Sequence, residues 1–187
     1  PQKNLVVKAY ALLAEEFSPP PVTASLHKQI PTQAGMGGGS SDAAAMLMVL
    51  NDMFRLGLSE EQLIERSARL GADCPFFILG KPSYAEGIGE RLQPVSISLK
   101  GWLLAIVKPP VAVSTKDAFM HILPSVPLAH CRRVVEHAPV ERWPDLLFND
   151  FEESVFVLYP QLANLKELLY QQGAAYAAMS GSGRALF

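Results

Sequence analysis

Gly35 to Ser41, inside the stretch PTQAGMGGGSSDAAAML that runs from Pro31 to Leu47, packs four glycines and two serines into seven residues. Ordered glycine carries a large entropy cost unless the backbone must take up φ > 0 or something has to approach it closely. An alanine-rich apolar run follows, so the loop opens a helix. Free N–H groups and the positive end of a helix dipole then form an anion site. The chemistry on offer is phosphate binding by main-chain amides, with Ser40 and Ser41 able to cap the helix or touch a phosphate or its metal. The loop lacks the GK[ST] of a P-loop and the GxGxxG of a dinucleotide fold. On these residues alone, a turn that merely lets helix and strand pack closely is the competing reading. A side chain at Gly38 is expected to crowd the backbone or deny it φ > 0.

Other residues offer chemistry less distinctly. Asp73 follows a helix that ends near Gly71, where a turn aspartate is ordinary and a proton-accepting carboxylate is the alternative. Asp42 is either a first-turn dipole partner or a magnesium contact. AEGIGE supplies two glycines on a hairpin, SGSG at Ser180 to Gly183 has the makings of a tight turn, and Phe119 sits at a spacing that usually means core. His130, Cys131 and His137 have no second pair at ligand spacing, so no metal site is expected. Cys74 and Cys131 lie outside any CxxC pattern, so neither a disulfide framework nor a zinc cage is implied. Cys74 is expected to be buried, free and structural.

The composition, 49% hydrophobic and 18% charged over 187 residues, is that of a globular chain. A net charge of −2 leaves no basic field for nucleic acid. No apolar run approaches the roughly 18 residues that cross a bilayer, so neither nucleic acid nor membrane is an expected partner. A reducing cytoplasm is the simplest compartment. Pro1 runs straight into a helical pattern and Phe187 ends inside an apolar run, so the chain reads as a segment of a longer protein.

The elements that must hold these residues follow from periodicity and punctuation. A helix is expected from Asn4, as N-cap, to Phe17, ended by SPPP. VTASLHKQI alternates like a strand, with Val22, Ala24, Leu26 and Ile30 on one face and Lys28 interrupting it. Asp42 to Phe54 and EEQLIERSARL, capped by Ser59, form a helical hairpin. PFFILG, SYAEGIG, ERLQPVSISL and WLLAIVKP read as short strands. A connecting region follows from Pro110 to Pro144, then two helices from Asn149 to Gln172 broken at Pro160, and AAYAAMSGSGRALF as strand, turn, strand. The mixture predicts an α+β fold, with one domain over 1–109 and a second over 110–187.

IPTQAGMGGGSSDAA, LGADCPFF, AEGIGE and MSGSG, in that order, together resemble the GHMP family of small-molecule kinases. GADCPFF and AEGIGE narrow the resemblance to the branch whose acceptor is a cytidine-diphosphate-linked methylerythritol. The resemblance implies a GHMP-kinase-like fold, with a ribosomal-protein-S5-domain-2-like half before a ferredoxin-like α/β sandwich. It implies an ATP- and Mg2+-dependent kinase that phosphorylates the acceptor's 2-hydroxyl in the non-mevalonate route to isoprenoid precursors. Residues 1–109 would then be the ATP-binding part and 110–187 an incomplete substrate-side domain.

By the same resemblance, Pro31, Thr32, Gln33, Ala34, Gly35, Met36, Gly37, Gly38, Gly39, Ser40 and Ser41 form the ATP-phosphate loop, and Asp73 is the catalytic aspartate. Ile88, Thr115 and Phe119 fall where the cytidine is held. Ser180, Gly181, Ser182 and Gly183 match a C-terminal glycine motif beside the substrate's phosphates. The family's N-terminal lysine segment has no counterpart, so the 187 residues by themselves are expected to be inactive. A homoserine or mevalonate type of kinase, or an inactive nucleotide-binding module, are the alternatives.

Overall fold

A computed structural model describes residues 4–30, 35–111, 113–122, 130–182 and 185–187. They divide into two compact units, the first drawn from Pro1–Thr32 and Gly37–Pro94, the second from Gln33–Met36 and Val95–Phe187. The mixture of helices with a small antiparallel sheet is α+β.

In the first unit, α1 (Leu5–Phe17) starts where Asn4 Oδ1 accepts the Val6 N–H at 2.9 Å. It stops at Ser18, left-handed with φ 47, where the prolines forbid continuation. α2 (Gly38–Met53) lays Ala43, Ala44, Leu47 and Leu50 against Ala9, Leu12 and Leu13 of α1. All seven are buried, and the alanines let the two helices approach closely. α3 (Glu60–Ala68) opens with the reciprocal box between Ser59 and Gln62. α4 (Cys74–Leu79) adds Cys74 and Ile78 to the same core. A hairpin of β1 (Ser83–Glu86) and β2 (Arg91–Pro94) closes the unit, with Glu86 opposite Arg91.

In the second unit come α5 (Thr115–His121), α6 (Cys131–His137), a 3-10 turn (Val140–Asp145), α7 (Phe151–Leu158) and α8 (Pro160–Gln171). Pro160 stands at the start of α8, where its missing N–H is not needed. Val113, Ala118, Val155, Leu162, Met179 and Leu186 form the core. Antiparallel bridges join Leu186 to Val107 and to Met179.

Several expected strands are absent. PFFILG is α4, because Pro75 sits in its first turn and Gly80 takes the left-handed C-terminal position at φ 61. Residues 22–30 join no ladder among the described residues, and Leu26 and Ile30 are exposed. Alternation gives a strand its faces but not its partner, and a strand exists only as part of a ladder. The same holds for WLLAIVKP, of which Val107 alone is bridged among the described residues.

Candidate active site

α2 begins four residues earlier than its apolar run suggests, so Gly38, Gly39, Ser40 and Ser41 are its first turn rather than a loop before it. The N-cap is Gly37, left-handed at φ 60, with no side chain to offer the first amides. The first intrahelical bond runs from Ser41 N–H to Gly37 O at 2.9 Å. The N–H groups ahead of Ser41 in that turn have no carbonyl within the helix to reach.

Gly37, not Gly38, is the position that only glycine fills. A Cβ on Gly37 would lie 2.7 Å from Cε2 and 2.8 Å from Cζ of Phe77, while one on Gly38 would make ordinary contact with Ile30 at 3.4 Å. Pro31, Thr32, Gln33 and Ala34 lie outside the described residues.

Asp42, now on the second turn of α2, is no first-turn dipole partner. Its Oδ2 pairs with Lys28 Nζ, which also reaches Gly38 O at 3.4 Å. The sequence reading took Lys28 for a flaw in a strand face. Its distance of 14 residues from Asp42 leaves no local signal that would pair them.

Asp73 stands exposed at the N-terminal end of α4 without capping it. Its Oδ1 lies 3.9 Å from where a Cβ on Gly89 would be, so the carboxylate faces the glycine side of the β1–β2 hairpin. Ile88, between Gly87 and Gly89, is 82% exposed at the hairpin tip. The neighbouring Cys74 is buried and hydrogen-bonded to the Ser40 side chain. Ser40 of the glycine turn and the residue after Asp73 therefore touch, within one compact unit.

Burial pushes the Cys74 thiol up; the Ser40 hydrogen bond opposes this and the Asp73 charge adds to it. Little thiolate forms, so Cys74 should resist iodoacetamide at mildly alkaline pH while the exposed Cys131 reacts. Peptide mapping of the labelled, folded protein checks this; rapid alkylation of Cys74 would mean that its surroundings are open.

In the second unit, Ser180 Oγ donates to Gly35 O at 2.7 Å, joining the C-terminal Ser-Gly turn to the first glycine of the loop. Asn149 and Glu152, which the sequence reading passed over, hold the same turn from behind. Ser182 belongs to it, and Gly183 lies outside the described residues. Phe119, on α5, is 61% exposed rather than core, with its ring edge-to-face to Phe151 at 4.9 Å. Thr115 is the first residue of the same helix. Among the described residues, no three His, Cys, Asp or Glu side chains gather as a metal cage, and no helix is long and apolar enough to cross a membrane.

Known proteins match this chain in sequence and fold. The family model for the N-terminal domain of GHMP kinases matches residues 4–81, and that for their C-terminal domain matches 138–187. The 4-diphosphocytidyl-2-C-methyl-D-erythritol kinases of Bacteroides fragilis and Bacteroides thetaiotaomicron are 54% and 50% identical to the whole chain, which spans 68% of each. That of Porphyromonas gingivalis is 44% identical over the same span. A crystal structure of 4-(cytidine 5'-diphospho)-2C-methyl-D-erythritol kinase superposes with a TM-score of 0.76 at 30% identity, covering 98% of this chain and 67% of that one. These matches show that the chain belongs to the GHMP kinases, in the branch of the 4-diphosphocytidyl-2-C-methyl-D-erythritol kinases.

Proposed function

We propose that this chain carries the phosphoryl-transfer machinery of an ATP-dependent kinase whose acceptor is the 2-hydroxyl of 4-diphosphocytidyl-2-C-methyl-D-erythritol. The observation that carries the proposal is the contact between Ser40, on the amide-bearing first turn of α2, and Cys74, next to Asp73. An anion cradle and a carboxylate that leaves its own helix uncapped thus lie side by side. Phosphoryl transfer asks a protein for positioning and charge stabilisation more than for covalent chemistry. The amides of Gly38, Gly39 and Ser40 hold phosphate oxygens, and Asp73 orients the acceptor hydroxyl and takes its proton. Gly89 lets that acceptor come close to the hairpin backbone beside Asp73, whereas at Gly87 the Glu90 carboxylate already fills the space a Cβ would take.

Magnesium, arriving with the nucleotide, neutralises phosphate charge. The hydroxyls of Ser40 and Ser41, with Asp42 already paired to Lys28, fit an ion held chiefly by phosphate oxygens and water. In the second unit, the turn from Ser180 is read as a phosphate-binding turn, and the open face of Phe119, with Thr115 on the same helix, as a surface on which a base stacks. Ile88 offers an apolar contact at the hairpin tip.

The test is acceptor choice. Full-length protein with ATP and magnesium should phosphorylate 4-diphosphocytidyl-2-C-methyl-D-erythritol and turn over homoserine and mevalonate at less than about one hundredth of that rate. Preferred transfer to either of the latter overturns the acceptor assignment. Nucleotide binding without transfer to any of the three leaves a binding module.

A further inference from the structure

We infer that Glu90 is a positioning residue for the kinase reaction, one whose carboxylate locks the tip of the β1–β2 hairpin and so presents Ile88 to the acceptor; this rests on the reading above that Ile88 offers the acceptor an apolar contact. Glu86 and Arg91 are the last paired residues of the hairpin, which leaves Gly87, Ile88, Gly89 and Glu90 to turn the chain. The Gly89 N–H donates to Glu86 O at 3.1 Å, so Gly87 and Ile88 are the central residues of a tight turn. Two glycines in four residues leave such a tip loose unless something else holds it.

The Glu90 side chain supplies that hold. It folds back over the turn, and its Oε2 accepts the Ile88 N–H at 2.7 Å. A Cβ on Gly87 would lie 2.5 Å from Oε1 and 2.7 Å from Oε2, so Gly87 is the residue that makes room for the carboxylate. Hydrogen bonds from its own backbone N–H and from that of Ile88 hold the Glu90 carboxyl below the usual carboxylate range, and the neighbouring Arg91 charge acts in the same direction. The ionised form is the one that grips the turn, and a charge-assisted hydrogen bond is stronger than a neutral one.

The two glycines of AEGIGE thus have different tasks. Gly87 admits the Glu90 carboxylate. A Cβ on Gly89, which has φ 113, would lie 3.8 Å from Ala72 Cβ and 3.9 Å from Asp73 Oδ1, so the tip stands beside the carboxylate read as catalytic. Between the two glycines, Ile88 is held out with 82% of its surface exposed. A lone exposed apolar side chain is ordinary on a protein surface. One whose backbone N–H is tied down by a charged side chain is set in place before any ligand arrives. Fixing a contact residue beforehand spares the acceptor the cost of ordering it, an effect on binding rather than on transfer.

The experiment uses the full-length protein. Glu90→Ala should raise the KM for 4-diphosphocytidyl-2-C-methyl-D-erythritol at least about fivefold, with kcat within about threefold and the KM for ATP within about twofold. Glu90→Gln, which keeps an oxygen for the Ile88 N–H but no charge, should fall between and serves if the alanine variant does not fold. Ile88→Ala tests the underlying reading and should raise the same KM at least as much. In the Ile88→Ala background, Glu90→Ala should add less than about twofold, since the side chain it positions is gone. A purely structural glutamate would lower Tm and the yield of active protein but leave KM alone. If Ile88→Ala raises KM and Glu90→Ala stays within about twofold, the inference about Glu90 is overturned. If Ile88→Ala leaves KM unchanged, Ile88 does not touch the acceptor and the inference falls with that reading. If Glu90→Ala raises KM equally in both backgrounds, Glu90 acts elsewhere than through Ile88, which overturns the inference as well.

Discussion

Asp73→Asn in the full-length protein should lower turnover by about 10²–10⁴-fold and leave ATP affinity nearly unchanged. Asparagine keeps the size and hydrogen-bond reach of the side chain but removes its charge and its capacity to take a proton. The structure makes this a clean substitution. Asp73 is exposed and does not cap α4, so replacing it leaves the helix start no poorer in hydrogen bonds. Its carboxylate lies near Gly89 of the hairpin, and asparagine leaves the main-chain amides at the start of α2 as they are, so the nucleotide's hold on those amides should persist. Single-turnover kinetics with a parallel ATP titration separate the two effects. A stable Asn variant that turns over within about threefold of the parent, under about 1 kcal/mol, would make Asp73 a turn residue and nothing more.

Gly37→Ala and Gly38→Ala, one residue apart, should differ sharply. Alanine at Gly37 meets two penalties. The left-handed backbone at φ 60 costs an L-residue about 1–2 kcal/mol. The added Cβ lands 2.7 Å from the Phe77 ring, an overpacking worth about 1–3 kcal/mol. Relief requires Phe77 or the start of α2 to shift, which moves the amides that would hold phosphate. The expected result is a Tm lower by about 5–15 °C and ATP affinity reduced at least tenfold, roughly 1.4 kcal/mol. Alanine at Gly38 enters a helix at a spot where its Cβ touches Ile30 at an ordinary 3.4 Å. Its better helix propensity, about 1 kcal/mol, offsets the crowding, so Tm should stay within about 3 °C. Thermal melts and ATP calorimetry on the two variants decide it; equal behaviour would show that no special backbone at Gly37 shapes the turn.

Helices whose ends are marked by neighbouring residues were legible in the sequence. Asn4 caps α1, Ser59 caps α3, and Pro160 divides α7 from α8 as their local signals require. PFFILG misled because a short apolar run fits a buried strand or a buried helix equally well. The asymmetry of Pro75 near its start and Gly80 past its end was the available cue. At the site, the run from Gly37 to Ser41 announced a helix start, though not that Gly38 and Gly39 lie inside the helix. Lys28 beside Asp42, and Asn149 beside Met179 and Gly181, join residues 14 to 32 positions apart. Such partnerships depend on tertiary packing, which periodicity and capping do not encode.

Opening α2 with Gly38 and Gly39 also makes its first turn expensive to keep ordered when empty. Each glycine disfavours the helix by about 1 kcal/mol relative to alanine, and beneath them the chain is secured by the buried Ala43 and Ala44. Amide hydrogen exchange should accordingly be faster at this end than at Leu47 or Leu50, and a bound triphosphate should slow it. Part of the attraction between phosphate and amide then goes into ordering the turn, so nucleotide binds less tightly than its contacts alone would give. For an enzyme that must release ADP in every cycle, a grip that loosens as the terminal phosphate leaves favours turnover over retention.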